Sequence, residues 1–312
     1  MAPPLLRIGT RGSPMALAQA RRLERALAAT HPALAAPDAV EIVVIRTEGD
    51  KIQDRPLAEI GGKGLFLKEI EEALLAGRID LAVHSAKDVP SLLPSGLELA
   101  CFLERDDPRD AFISLKAADF KSLPPASVIG TSSPRRQAQI LARWPGHKVV
   151  PFRGNAETRL RKLAEGQADA TLLAVAGLAR IGRREAARKI LAPEEMLPAV
   201  GQGAIAIEIR TRDERARGLL EPLAHAPTVT AIAAERAMLA VLEGSCRMPI
   251  AGLAEIDRRG ELTLRALLAK PDGSALYRAT RSGASGDAVR LGRDAGLALT
   301  GSAGADFFAS LA

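Results

Sequence analysis

The sequence predicts an α/β protein with two similar α/β units and a smaller third unit that contains an antiparallel sheet. Three observations support this fold class. Short apolar segments alternate with amphipathic helices over residues 5–85, the same alternation returns over residues 127–177, and three strand-like segments follow one another over residues 251–281. Alternating strands and helices are typical of a mostly parallel sheet, whereas successive strands favour an antiparallel one.

The first unit is predicted from local signals. Strands are expected at residues 5–9, 40–47 and 79–85, with helices at 13–30 and 65–77. Ser13 can cap the first helix, Pro14 suits its first position, and Gly77 can end the second helix. Ligands of such sheets bind beyond the C-terminal ends of the strands, so the polar residues there are candidates for a site.

The second unit repeats the plan of the first. Strands are expected at residues 127–131, 148–154 and 168–177, with helices at 133–144 and 155–166. Both units contain a strand followed by Gly-Thr, one or two linking residues and Ser-Pro, which reads IGTRGSP from Ile8 and IGTSSP from Ile129. The repeat predicts two α/β domains of similar plan that face each other across a cleft.

The rest of the chain completes a prediction of three domains. A strand at residues 204–209 follows a Gly-rich turn and is expected to return the chain to the first unit. Beyond it, a helix is expected at 229–243, strands at 251–257, 261–269 and 275–281, and a last helix near 286–300. The predicted domains are residues 1–104 with 203–221, residues 109–198, and residues 226–312.

Composition narrows the classes of function. The chain has 312 residues, 47% of them apolar, and a formal net charge of +6, which indicates a globular protein that favours anionic partners. Aromatic residues make up only 3%, which disfavours a binder of single-stranded nucleic acid, and no apolar segment is long enough to span a membrane. Two cysteines cannot build a disulfide framework, and the first residues lack the pattern of a secretory signal, so a cytoplasmic location is expected.

Basic side chains gather at loops and strand ends, beside Gly, Ser, Thr or Asn. This set comprises Arg11, Lys63, Lys87, Arg135, Arg136, Arg153, Arg159 and Arg180. Arginine recognises carboxylates through two parallel hydrogen bonds, and backbone N–H groups in such loops add further donors. The alternative is solvated surface charge, which is the interpretation for Arg161, Arg183, Arg184 and Arg188.

An acid and a thiol are the candidates for chemistry. Asp88 lies in HSAKDVP at the end of a predicted strand and could act in proton transfer or charge stabilisation, with a plain salt bridge as the equally weighted alternative. Cys246 lies in the loop GSCRMPI beside Arg247, which favours a reactive thiolate, whereas a small buried hydrophobe is the alternative. We interpret Cys101 and His84 as structural. The sequence shows no metal-ligand spacing and no phosphate-binding glycine motif.

Nine segments together resemble the porphobilinogen deaminases, also called hydroxymethylbilane synthases, over nearly the whole chain. In order they are IGTRGSPMALAQA, GGKGLF, DLAVHSAKDVP, RDDPRDAF, IGTSSPRRQAQ, FRGNAETRL, LAVAGLARIG, LPAVGQGAIAIE and GSCRMPIAG. The resemblance implies two lobes like those of type II periplasmic binding proteins around a cleft. It also implies a smaller C-terminal α+β domain with a three-stranded antiparallel sheet.

The resemblance further implies a monomeric transferase that needs neither nucleic acid nor a membrane. Such an enzyme condenses four porphobilinogen molecules head to tail with loss of ammonia, and releases linear hydroxymethylbilane by hydrolysis. The chain grows on a dipyrromethane cofactor, which a thioether joins to a loop cysteine that corresponds to Cys246. Each porphobilinogen brings one acetate and one propionate, so the growing chain is a polyanion, which explains the many cations.

Roles for individual residues follow from the same resemblance. The catalytic aspartate corresponds to Asp88, which is expected to stabilise the positive charge of the azafulvene formed when ammonia leaves. Cofactor binding is implied for Lys87, Thr131, Ser133, Arg135, Arg136, Arg153 and Asn155. Substrate binding is implied for Arg11, Ser13, Lys63, Phe66, Arg159, Arg180 and Gln202.

The stretch GTSSPRRQ poses a physical problem. Arg135 and Arg136 lie at a helix N-terminus, where the helix dipole disfavours each cation by about 0.3–1 kcal/mol. Our interpretation is that ligand carboxylates offset this repulsion only when they are bound. It predicts that residues 130–137 are better ordered with the cofactor than without it.

Four positions depart from the family pattern. Pro134 replaces a common Leu, Ala86 a common Met and Met248 a usual Val, and Glu59 stands where some members have a basic residue. Two other classes of function remain open from the residues alone: a non-enzymatic binding protein for a small polyanion, and a nucleic-acid-binding protein.

Overall fold

The computed structural model describes residues 4–51, 67–242, 248–304 and 307–308. The chain forms two compact units. The first comprises Met1–Asp106 and Ala204–Val229, and the second comprises Asp107–Gly203 and Thr230–Ala312. The chain therefore passes between the units at three places, and the limits of the three predicted domains stay a prediction.

The described residues form strands and helices that alternate over most of the chain. The strands are β1 (Leu6–Thr10), β2 (Val40–Val44), β3 (Leu81–Ser85), β4 (Leu97–Phe102), β5 (Asp110–Ser114), β6 (Val128–Gly130), β7 (Lys148–Val150), β8 (Ala170–Ala174), β9 (Lys189–Ile190), β10 (Ile205–Arg210), β11 (Ile250–Ile256), β12 (Glu261–Ala269) and β13 (Leu276–Ala284). The α-helices are α1 (Pro14–Thr30), α2 (Glu48–Lys51), α3 (Lys68–Leu75), α4 (Pro134–Arg143), α5 (Ala156–Ala164), α6 (Val175–Arg180), α7 (Glu214–Leu220), α8 (Ala226–Leu242) and α9 (Ala288–Ala303).

The first unit contains a five-stranded sheet of order β2-β1-β3-β10-β4. Strand β1 pairs parallel with β2 and β3, whereas β10 pairs antiparallel with both β3 and β4. Four strands therefore run the same way and only β10 runs against them, which confirms the mostly parallel sheet. Strand β10 is also the strand expected to return the chain to the first unit, and the structure places it there.

The second unit contains a sheet of the same plan, with order β7-β6-β8-β5-β9. Strand β6 pairs parallel with β7 and β8, and β5 pairs antiparallel with β8 and β9. In both sheets the reversed strand is the one that follows a passage from the other unit. The repeat read from the sequence thus corresponds to a repeated sheet topology.

Two glycines show why the Gly-Thr pair recurs. Gly9 and Gly130 lie in β1 and β6, the strands in the middle of the parallel part of each sheet. A Cβ atom at Gly130 would lie 2.5 Å from Phe152 Cγ, and one at Gly9 would collide with Ile79 Cδ1. A side chain at either position would therefore displace an apolar neighbour packed against the strand.

A three-stranded antiparallel sheet of order β11-β12-β13 also belongs to the second unit. Its apolar core packs with α8 and α9 through residues such as Met238, Leu264 and Leu299. A separate apolar cluster joins Ala138 of α4 to Leu267 of β12. This shared core explains why the second α/β sheet and the small sheet form a single compact unit.

The sequence prediction was wrong at several boundaries. The strand expected at 168–177 ends at Ala174, because Val175 begins α6. Strands β4, β5 and β9 and helices α2, α6 and α7 were not predicted as elements. In the described part of the chain, no helix is both long and apolar enough to cross a membrane.

Candidate active site

In the first unit, predicted site residues meet where β1 and β3 end. Ser13 is the N-cap of α1, and its Oγ accepts a hydrogen bond from Ala16 N at 3.2 Å. Arg11 lies between β1 and this cap. Both line a hollow of about 40 Å³ together with Met15, Ala16, Gln19, Leu67, Val83, His84, Ser85 and Asp88. A hollow of this volume accommodates about one water molecule. Its lining shows that polar groups converge at this place within the unit.

Asp88 is held at the end of the sheet by a short turn. The 3-10 segment Ala86–Asp88 follows β3 directly, and Ala86 N donates to Ala204 O at 3.1 Å. Gln19 Nε2 donates to Ser85 Oγ at 2.8 Å and ties the same turn to α1. Lys87 and Asp88 are both partly exposed. The structure thus brings Asp88 into one hollow with Arg11 and Ser13.

Beside this hollow lies a buried acid–histidine pair that sequence reasoning did not connect. His84 Nε2 lies 2.9 Å from Glu208 Oε2, and the exposed fractions of the two side chains are 6% and 0%. Glu71 of α3 belongs to the same electrostatic group. Burial, followed by the nearby carboxylate of Glu208, raises the pKa of Glu71 to about 7, with His84 acting in the opposite direction. His84 is thus buried against Glu208 and also lines the hollow, and its structural role stays an interpretation.

In the second unit, the predicted cations gather at the start of α4. Ser133 caps this helix, with its Oγ accepting from Arg136 N at 3.4 Å, and Pro134 occupies the first helical position. Thr131 Oγ1 accepts from Ser133 N at 3.2 Å. The helix start thus tolerates Pro134. The hydroxyl oxygens of Thr131 and Ser133 both accept hydrogen bonds within this turn, so both residues have a structural role as well as a predicted binding role.

Arg135 and Arg136 are buried and share one acid. Arg136 Nη2 donates to Asp110 Oδ1 at 2.6 Å, and Arg135 Nη2 lies 2.9 Å from Asp110 Oδ2. Burial alone would raise the pKa of Asp110, but the two guanidinium groups outweigh it and hold that pKa well below its usual range. The expectation that only a bound ligand offsets these two cations is therefore wrong, because the chain supplies its own carboxylate.

Three further predicted residues lie around α5 in the second unit. Asn155 is the N-cap of α5, with Oδ1 accepting from Thr158 N at 2.8 Å, and its side chain is exposed. Arg159 Nε donates to Gly154 O at 2.9 Å. Burial, then the charges of Arg136 and Arg153, lower the pKa of Arg159 to about 10. Asn155 thus has a structural role as a helix cap. Arg159 lies near the positive charges of Arg136 and Arg153, and a bound anion would reduce their repulsion.

Arg180 and Gln202 complete the group of the second unit. Arg180 Nη2 donates to Gly203 O at 2.6 Å, and Gln202 Nε2 donates to Asp110 Oδ1 at 2.9 Å. The turn that carries Gln202 is held by buried Glu235, whose Oε2 accepts from Gly201 N at 2.7 Å. Sequence reasoning missed Glu235 and Asp110. Asp110 could have been found from the sequence, because it is a lone acid at the start of the apolar segment DAFIS.

Three predicted site residues lie outside the described residues: Lys63, Phe66 and Cys246. The same holds for Glu59. Cys101 is described, and it is buried in β4, where burial raises the pKa of its thiol to about 12. Cys101 is therefore a packed thiol without nucleophilic character, as interpreted.

The second unit contains several buried guanidinium nitrogen atoms. Three of them have no hydrogen-bond partner among the described residues: Arg135 Nε, Arg136 Nε and Arg153 Nη1. An unpaired buried donor is costly, and a carboxylate is the ligand that guanidinium donors fit best. Fold and site together define an α/β protein of two similar sheets, with buried cationic donors in the second unit that suit carboxylates.

The particular family follows from comparison with known proteins. The family model described as "Porphobilinogen deaminase, dipyromethane cofactor binding domain" matches residues 6–218, and "Porphobilinogen deaminase, C-terminal domain" matches residues 229–301. The chain belongs to the porphobilinogen deaminase family, and residues 6–218 are its dipyrromethane cofactor-binding domain.

Full-length relatives agree with this assignment. The chain is 55% identical over 309 residues to a chloroplastic porphobilinogen deaminase of Oryza sativa subsp. japonica, covering 98% of this chain and 86% of the relative. It is 53% identical to a porphobilinogen deaminase of Nitrobacter hamburgensis, covering 97% of this chain and 95% of the relative.

Solved structures that resemble this chain are more distant in sequence. The methionine binding protein MetQ matches with a TM-score of 0.45 and 12% identity, covering 75% of this chain and 93% of MetQ. A periplasmic substrate-binding protein of an ABC transporter from Coxiella burnetii matches with a TM-score of 0.43 and 17% identity, covering 74% of this chain and 96% of that protein.

Proposed function

We propose that this chain is a hydroxymethylbilane synthase that condenses four porphobilinogen molecules head to tail, releases one ammonia at each addition, and hydrolyses linear hydroxymethylbilane from its cofactor. One observation carries the proposal: residues 6–218 match the dipyrromethane cofactor-binding domain of the porphobilinogen deaminase family. The proposal includes a monomer made of the three predicted domains, active in the cytoplasm without nucleic acid or a membrane.

The described residues fit a dipyrromethane with its carboxylates. Arg135, Arg136 and Arg153 each have a buried nitrogen atom without a hydrogen-bond partner among the described residues, and carboxylates would satisfy these donors. The cofactor is assigned to these arginines with Lys87, Thr131, Ser133 and Asn155, and to a thioether at Cys246. When bound, it would supply the free pyrrole carbon that accepts the first unit, and each later unit would add to the end of the growing chain.

The carboxylates of porphobilinogen are assigned to the remaining cations and polar groups. These residues are Arg11, Ser13, Lys63, Phe66, Arg159, Arg180 and Gln202. Arg159 supports this role most directly, because burial and then the like charges of Arg136 and Arg153 lower its pKa. A bound carboxylate would favour the charged form of Arg159 and anchor the substrate at the same time.

The charge stabilisation and the proton transfers of the reaction are assigned to Asp88. Asp88 lines one hollow with Arg11 and Ser13 and lies on a turn tied to two elements of the first unit. A carboxylate there would stabilise positive charge on the pyrrole nitrogen of porphobilinogen as ammonia leaves, and would move protons at the reacting carbon.

Intact mass spectrometry tests the function and the attachment together. Wild-type protein is expected to exceed its sequence mass by one dipyrromethane and to consume porphobilinogen. Cys246→Ser should show the sequence mass and no turnover, whereas the matched control Cys101→Ser should keep both properties, because Cys101 is buried in the core. Unmodified wild-type protein that is fully active would overturn the assignment, and an unmodified protein that binds porphobilinogen without turnover would indicate a binding protein.

A further inference from the structure

Asp110 is a charged residue in a position that normally excludes charge. It is the first residue of β5, pairs with Ala174 of β8, and has no solvent-exposed surface. A carboxylate is retained in such a place only when charged partners and hydrogen bonds replace its hydration. The contacts of Asp110 therefore indicate its role.

Both carboxylate oxygens of Asp110 are directed to groups of the predicted binding site. Oδ1 accepts from Arg136 Nη2 at 2.6 Å and from Gln202 Nε2 at 2.9 Å, and Oδ2 lies 2.9 Å from Arg135 Nη2. One buried acid thus contacts three residues that are otherwise assigned to ligands. No residue of the described structure offers these two arginines a second ion pair.

Each guanidinium is also fixed on its other side. Arg135 Nη1 donates to Leu197 O at 2.7 Å, and Arg136 Nη1 donates to Leu172 O at 2.9 Å. With one terminal nitrogen on a carbonyl and the other on Asp110, neither planar group can rotate without losing a buried bond. The Nε atoms of both arginines keep a donor that nothing in the described residues uses.

The charges of Asp110, Arg135 and Arg136 do not cancel, since one acid faces two cations. Two adjacent buried cations repel each other, and the positive end of the α4 dipole adds to the repulsion. Asp110 reduces the charge of the pair from +2 to +1 and leaves the excess positive charge for a ligand. Preorganised donors bind an anion without the cost of ordering flexible side chains.

We infer that Asp110 is a positioning residue that holds Arg135 and Arg136 ready for the carboxylates of the cofactor and sets the charge they present. This inference rests on the proposed function. It assigns Asp110 no contact with substrate or cofactor, because both of its carboxylate oxygens face Arg135, Arg136 and Gln202.

The test compares Asp110→Asn with Asp169→Asn. Asp169 is a matched control, because it precedes β8 in the same sheet, accepts from Lys116 Nζ at 2.6 Å and from Val128 N at 2.8 Å, and is not part of the site. Apoprotein is mixed with porphobilinogen well below the unfolding temperature, and the covalently loaded fraction is followed by intact mass. Loading of Asp110→Asn should slow about tenfold or more, with a raised KM and a smaller change in kcat. Asp169→Asn should load and turn over like the wild type.

A double-mutant cycle shows whether Asp110 acts through the arginines. If it does, Asp110→Asn and Arg135→Gln together should raise KM by less than the product of their separate effects. Multiplicative effects, or loading of Asp110→Asn at the wild-type rate, would overturn the inference. If Asp110→Asn does not fold, Asp110→Glu keeps the charge and moves it, and wild-type loading by that variant would also overturn it. Failure of wild-type protein to use porphobilinogen would instead overturn the proposed function.

Discussion

Arg136 donates from Nη2 to Asp110 Oδ1 at 2.6 Å, and both side chains are buried. The relationship explains why a chain places two arginines at a helix N-terminus. Their repulsion is offset within the second unit, while their Nε donors remain without partners in the described residues. The same residues are thus expected to contribute to stability through Asp110 and to ligand binding through the Nε donors that Asp110 does not use.

Removal of Arg136 should be costly to the fold. Arg136→Ala leaves Asp110 with one cation and Leu172 O without its donor, so the free energy of unfolding should fall by about 3 kcal/mol. Arg161→Ala is the control, because Arg161 pairs with Glu165 on an exposed face of α5 and should change the value by no more than about 0.5 kcal/mol. Urea denaturation measures both, and equal effects would show that the buried pair does not stabilise the unit.

Stability should depend on pH through Glu71. Its pKa is raised from an ordinary value to about 7 in the folded state, so the folded chain binds a proton more tightly than the unfolded one. Its contribution is therefore fully present below about pH 4.5 and is lost as the pH rises through 7.

Glu71→Gln removes this dependence. At pH 8 the variant should be more stable than wild type by on the order of 1 kcal/mol, a reduced value because the carboxyl is only half-buried and solvent screens it. The control Glu72→Gln changes the neighbouring exposed residue of α3 and should have no such effect. Thermal unfolding from pH 5 to pH 8 is the measurement, and a wild-type profile for Glu71→Gln would refute the buried charge group.

Asp88→Asn should separate chemistry from folding. The amide keeps the size of the side chain but can neither stabilise a cation nor accept a proton, so kcat should fall by about 10²–10⁴-fold. The variant is supplied with the same cofactor as the wild type during preparation. Its unfolding temperature and its covalent cofactor content should then stay close to those of the wild type.

Asp38→Asn is the matched control for Asp88→Asn. Asp38 is exposed and has φ +62°, a left-handed conformation that asparagine also adopts, so this variant should retain full activity. Near-normal turnover by Asp88→Asn would assign the chemistry to another group.

Much of the fold could be predicted because its signals are local. Ser13 and Ser133 cap their helices as expected, and the repeated Gly-Thr and Ser-Pro steps mark the same place in two sheets of one plan. Capping and helix starts depend on a few neighbouring residues, so a sequence displays them directly.

What the sequence missed depends on distant residues. Strand β5 begins with Asp110, and an acid at the head of a short apolar segment argues against a buried strand until Arg135 and Arg136 are seen beside it. His84 meets Glu208 across 124 positions of sequence, a pairing that no local pattern encodes. The end of β8 at Ala174 was missed because VAGLAR is apolar enough to extend the strand but forms α6.

The most direct measurement follows the mass of the protein during turnover. Holoprotein mixed with a limiting supply of porphobilinogen should show discrete covalent species, each heavier by one porphobilinogen less one ammonia, and should return to the starting mass once hydroxymethylbilane is released. The series should be absent from Cys246→Ser and unchanged in Cys101→Ser. Protein that converts porphobilinogen to hydroxymethylbilane while its own mass stays constant would contradict chain growth on a bound cofactor.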